Sequence, residues 1–145
     1  MLESLVRDLR SDRAGLIRAA RRAYLLGLAA LTLPGLVLGA VLALTRPASI
    51  PFAAVLALLA LALVLALVVL RLARRAASTP EVPARQAALT GAIQAATAPG
   101  VALLLACATL SQGVSVLLFV VLAAGLHLVV WAQLPGWVRE PDAVN

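Results

Sequence analysis

Charge is scarce in this chain, and lysine is missing altogether. Only 12% of its 145 residues are charged, and all 12 basic side chains are arginine, against 6 acidic ones. Ordinary globular domains are roughly a quarter charged and about half apolar. Here 63% of the residues are hydrophobic and the mean hydropathy is +1.06. A chain this short buries only about two-thirds of its surface on folding, so it cannot hide that much apolar surface inside itself. A soluble globular protein is excluded, and a bilayer has to supply the apolar surroundings.

Other absences narrow the chemistry. The single cysteine, Cys107, rules out a disulfide framework within the chain. With one His, one Cys and one Met, a zinc or haem site has no ligand set to draw on. No HExxH, glycine-rich nucleotide loop or Ser/His/Asp constellation is present. No catalytic residues, metal or cofactor are therefore expected. The net charge of +6 and pI near 11.5 would suggest nucleic acid in a soluble chain. These arginines instead flank apolar runs, the pattern of topology signals and headgroup contacts. The expected partner is lipid, not nucleic acid.

What is abundant is uncharged sequence. Between Arg22 and Arg46 lie 23 uncharged residues, roughly 35 Å of helix and enough to cross a bilayer. After the turn Pro47-Ala48-Ser49-Ile50-Pro51, a second run covers 52–70, and a charged, proline-containing loop follows from Arg71 to Arg85. Residues 86–138 form an uncharged stretch of 53, about 80 Å if helical and too long for one crossing. Its break belongs at Thr109-Leu110-Ser111-Gln112-Gly113, the most polar segment available. The fold class expected is an all-α integral membrane protein. Four transmembrane helices (about 23–45, 52–70, 86–108 and 114–134) form two helical hairpins and end in a short tail, 139–145.

Arginine counting orients the chain. Eleven arginines lie before the first span, in the middle loop or in the tail, against Arg46 alone on the opposite side. By the positive-inside rule, both termini and the middle loop are cytoplasmic, in a bacterial inner membrane. Tyr24, Trp131 and Trp137 fall at that same interface, where amphipathic rings anchor helices. Residues 1–22 read as an amphipathic interfacial helix, with Leu2, Leu5, Val6, Leu9, Leu16 and Ile17 at helical spacing and arginines on the other face. Its roles are a surface-lying lead-in to the first span or a docking helix for a cytoplasmic partner. The stretch is too long and too arginine-rich for a signal-peptide n-region, so the first span is expected to stay. Arg18, Arg21, Arg22, Arg71, Arg74 and Arg75 are the expected headgroup contacts.

The two halves share a Thr-x-Pro-Gly element, at Thr32 to Gly35 and at Thr97 to Gly100, which suggests a duplicated hairpin. Pro34 and Pro99 each remove a backbone donor and kink their helices. The kinks serve packing or open a cavity at mid-membrane. No Asp, Glu, Lys or Arg falls within any span, so coupling through an intramembrane carboxylate has no residue to run on. The remaining polar groups gather in the second half. Gln86, Thr90, Gln94 and Thr97 share one face of the third helix, and counting from the outer turn puts His127 near the depth of Gln94 and Thr32. A cluster of Thr32, Thr90, Gln94, Thr97 and His127 is expected, with Gln94 paired to His127. It would bond helices to one another, line a solute or proton path, or face another subunit. The glycines Gly35, Gly39 and Gly91 offer close helix contact.

Two hairpins, an arginine-rich loop and a Gly-x-x-Gln stretch (Gly91 to Gln94) resemble ATP synthase protein I, a small four-helix membrane family. The resemblance implies assistance in assembling a rotary ATPase. The charged pair expected in that family's third span is absent here, Gln94 and Ala98 standing in comparable places, so no site carries over. The function expected is a non-enzymatic membrane protein acting through helix–helix contacts, as accessory subunit, assembly factor or scaffold. It would work with a membrane-protein partner or as a homo-oligomer. The alternative is a small oligomeric channel or transporter with a path lined by the third and fourth helices; a membrane-permeabilising protein is a third reading.

Overall fold

The computed structural model describes residues 13–45 and 50–138. These form four helices: α1 (Arg13–Thr45), α2 (Phe52–Ser78), α3 (Ala84–Ala108) and α4 (Gly113–Trp137). All four are long and apolar enough to cross a membrane. The polar segment Thr109–Gln112 separates α3 from α4, and the Gln112 side chain donates to the Ile50 carbonyl at 3.2 Å. That bond brings the start of α2 to the α3–α4 turn. At the opposite end, Tyr24 of α1 meets His127 and Trp131 of α4. The helices therefore alternate in direction.

Helix α3 is the hub. It packs against each of the other three, whereas the consecutive helices α1 and α2 barely touch. The sequence suggested two hairpins; in the first, the arms lie against different sides of α3 instead of against each other. Side-chain size explains this. Every buried residue of α3 is Ala, Gly, Pro or Cys, so backbones can approach it from several directions. In hydrocarbon, apolar burial gives little net drive, and helix association rests on close packing, which small residues permit. The buried residues of α2 include Ala62, Ala66, Leu70, Ala73 and Ala77, a line at helical spacing turned to α3. Its remaining Leu and Val side chains are largely exposed, as suits a lipid-facing surface. The apolar stretch of helix α3 is the least hydrophobic of the four and the most buried.

Three boundaries differ from the sequence expectation. Residues 1–12 of the expected amphipathic helix lie outside the described residues, as does the tail 139–145. From Arg13 the helix runs without interruption through Arg22 into the first span. Leu16, placed on the apolar side of a surface-lying helix by sequence, is fully buried in the bundle's own core with Ala20, Tyr24, Leu134 and Val138. Helix α2 likewise continues past Arg71, Arg74 and Arg75 to Ser78, which shortens the expected loop to residues 79–83. Arginine is a good helix former whose stem lies along apolar surface while its head reaches water, so it ends the hydrophobic run without ending the helix. Helix α4 carries Pro135 inside its last turn and reaches Trp137.

Helices α1 and α3 run parallel with glycines at their seam. A Cβ added at Gly27 would stand 3.3 Å from the Ala96 Cβ, and one at Gly100 3.0 Å from the Leu31 side chain. A Cβ at Gly35 would overlap the tip of Leu104, and one at Gly39 the Cys107 carbonyl. The Gly35/Gly39 pair therefore faces this chain's own third helix. The seam's register sets Gly35 beside Leu104 rather than Gly100, one helical turn from side-by-side pairing of the two Thr-x-Pro-Gly elements. Their surroundings differ as well, since Pro34 is exposed and Pro99 fully buried.

Candidate functional site

The five residues expected to cluster do not form one group. Thr32 spends its hydroxyl on its own helix, donating to the Leu28 carbonyl at 2.9 Å. Thr97 does the same toward Gln94, donating to its carbonyl at 2.7 Å. Such back-bonding is the ordinary way a threonine satisfies itself inside a helix. His127 faces α1, where Tyr24 Oη lies 2.8 Å from its Nδ1. Gln94 lies instead along a groove of about 210 Å³ between α2 and α3, lined by Val69, Leu72, Gln94 and Thr97. The Gln94–His127 pair is therefore not formed: equal depth along two helices says nothing about which way each side chain turns.

Two sites result, on different sides of α3. The first is a stripe down its outer surface. Gln86, Thr90 and Gln94 are exposed and Thr97 is half-buried, flanked by α2 on one side and α1 on the other. Among the described residues, the side chains of Thr90 and Gln94 have no hydrogen-bond partner. Gln94 stands about 15 Å along α3 from its start, well inside the apolar stretch. A primary amide offers two donors and an acceptor, and hydrocarbon satisfies none of them.

The second site lies where α1 and α4 meet. Tyr24 is 0% exposed, and its hydroxyl has one acceptor among the described residues, the His127 Nδ1. The assignment that satisfies this buried hydroxyl has Tyr24 donating to Nδ1, which puts the imidazole's own proton on Nε2. Trp131 stacks on the His127 ring with centroids 5.7 Å apart, and the Arg21 guanidinium covers the Trp131 ring at 4.6 Å, a cation–π arrangement. The sequence expectation of an interfacial anchor at Tyr24 is thus replaced by a buried hydrogen-bonding role. Counting from Arg13 and from Trp137, the ends of α1 and α4 on the same side of the bundle, would have matched Tyr24 with His127. Starting α1 at Ala23 hid that signal.

Below the aromatic group, α1 and α4 part, and α3 floors a cleft of about 340 Å³ lined by Leu28, Pro99, Leu103, Val120, Ala124 and His127, among others. Pro99 thus lines an apolar space, with His127 its one polar lining residue. Of the expected headgroup arginines, Arg18, Arg71, Arg74 and Arg75 are exposed, while Arg21 and Arg22 are half-buried. Gly91 packs tightly on α2, where a Cβ would stand 2.8 Å from the Ala77 Cβ. Among the described residues, no group of three His, Cys, Asp or Glu side chains could hold a metal ion. Comparison of the chain with protein-family models, curated proteins and solved structures finds no match.

Proposed function

We propose that this protein is a non-enzymatic, multi-pass membrane protein that works through helix–helix contacts, as accessory subunit, assembly factor or scaffold of a membrane complex. The observation that carries the reading is the Gln94 amide, exposed on an apolar exterior with no hydrogen-bond partner among the described residues. An unmet amide in hydrocarbon is costly. Pairing it across a helix interface contributes about 0.6–2 kcal/mol. Thr90 and Thr97 on the same face are small enough to let a partner helix come close. The proposed location is a bacterial inner membrane, with both chain ends and the α2–α3 loop cytoplasmic, on the support of the arginine distribution.

The alternative is an oligomeric channel, in which the same stripe would turn toward a central axis. The fourth helix would then take no part in the path, because His127 faces α1. Purification in mild detergent, followed by mass spectrometry of the intact assembly, tests the proposal. The unchanged protein is expected to carry a stoichiometric membrane partner, and Gln94→Leu to lose it while staying folded. A lone homo-oligomer that Gln94→Leu dissociates would favour the channel. Retention of the partner by Gln94→Leu would remove the stripe as the contact face.

A further inference from the structure

The cleft between α1 and α4 has an order of chemistry along the membrane normal. Nearest the arginine-rich end stands Arg21, whose Nε is buried without a hydrogen-bond partner among the described residues. One turn deeper is the Tyr24–His127 pair. Because Tyr24 occupies Nδ1, the proton on Nε2 is the donor left over, and Nε2 is neither buried nor bonded among the described residues. Below His127 the lining turns to hydrocarbon, with Leu28, Pro99, Leu103, Val120 and Ala124. Reading inward gives a cation with an unmet N–H, then an imidazole N–H, then an apolar slot.

We infer that this cleft is a binding site for one anionic glycerophospholipid of the arginine-rich leaflet. Such a lipid presents the complementary order: phosphate, then ester carbonyls, then acyl chain. A cleft that opens sideways into a bilayer fills with hydrocarbon in any case. What makes this one selective is the pair of donors at its mouth. The phosphate meets the accessible part of the half-buried Arg21 guanidinium in charge-assisted hydrogen bonds. An ester carbonyl accepts from His127 Nε2. The acyl chain lies along Leu28 and Val120 against Pro99. From Arg21 to Leu28 the drop is two turns of α1, about 10 Å, which places the anion at the level of the interface and the slot within the hydrocarbon. The Tyr24 hydroxyl acts as a positioning group that keeps the imidazole proton on the nitrogen facing the lipid. This site lies on the other side of α3 from Gln94 and does not depend on the partner-contact reading.

The test is thermal unfolding of the full-length protein in lipid-free detergent, with phosphatidylglycerol or phosphatidylcholine added at equal mole fraction. A ligand that binds only the folded state raises the midpoint. Phosphatidylglycerol is expected to raise it by several degrees, and phosphatidylcholine by less than half as much. Arg21→Gln is expected to remove the difference between the two lipids. Arg85→Gln, which loses an equal charge at the exposed start of α3, is expected to keep it. Ala124→Phe fills the slot from an exposed position and is expected to abolish the shift with either lipid; Val120→Phe fills the same slot should the first variant not fold. Equal shifts by both lipids in the unchanged protein would overturn the proposal. So would loss of the preference in Arg85→Gln, its survival in Arg21→Gln, or an undiminished shift once the slot is filled.

Discussion

At the scale of single residues, the most consequential contact is the bond between Tyr24 and His127. It joins positions 103 residues apart in the chain and ties the first helix to the last. Tyr24→Phe removes the donor and is expected to cost about 1 kcal/mol, the usual size of an interhelical hydrogen bond in a membrane. His127→Leu strands a buried hydroxyl with no acceptor, and is expected to cost about 1–3 kcal/mol. The double change Tyr24→Phe/His127→Leu leaves nothing unsatisfied, so its cost should fall below the sum of the two. Unfolding by SDS titration, followed through helix content, measures this coupling. Strictly additive losses would show that the two side chains do not depend on each other. Gln94 is the contrasting case. With no partner among the described residues, its replacement by Leu should leave the stability of the isolated protein unchanged.

Among the helices, the glycines give an ordered series because the obstacles to a methyl group differ in kind. At Gly39 the obstacle is the Cys107 carbonyl, which is backbone and cannot turn aside; at Gly35 it is the flexible end of Leu104. At Gly125, exposed in the middle of α4, nothing lies within 4 Å. Gly39→Ala is therefore expected to destabilise by about 1–3 kcal/mol, the usual range for overpacking. Gly35→Ala should cost less, and Gly125→Ala should stabilise by up to about 1 kcal/mol through helix propensity. The same unfolding assay ranks them. A destabilising Gly125→Ala would mean that this open surface is occupied in the membrane. The glycine spacing was readable in the sequence as a sign of close contact. The partner helix was not, because small residues announce that something comes near without naming what. The helix ends were the least legible feature, since Arg22 and Arg71 bound the uncharged runs, and the helices of an arginine-rich segment do not stop there.

For the whole molecule, four apolar helices followed from the lengths of the uncharged runs, which is a matter of bilayer thickness and little else. Their arrangement around α3 did not follow, because it depends on alanine positions that look alike in sequence. The polar sites divide the same way: Gln86, Thr90, Gln94 and Thr97 share a helix face by spacing alone, but the turn of that face away from His127 is a property of three-dimensional packing. Orientation across the bilayer yields to a labelling experiment. In a Cys107→Ala background, cysteine at exposed Ser111 is expected to react with an impermeant maleimide on intact cells. Cysteine at exposed Ser78 should react only after the membrane is opened. The reverse pattern would invert the proposed topology.

The near-absence of contact between α1 and α2 bears on how the chain comes together as it is made. Ribosomes deliver the helices in order, at roughly 5–20 residues per second, so α1 and α2 are synthesised before the helix on which both of them pack. Until residues 84–108 emerge, each lies in the membrane with lipid as its main neighbour, and the arginines at its end are its principal guide. When α3 arrives it finds both flanking helices already in place. Assembly is then a late insertion between waiting elements, and α4 locks it by joining Tyr24 to His127.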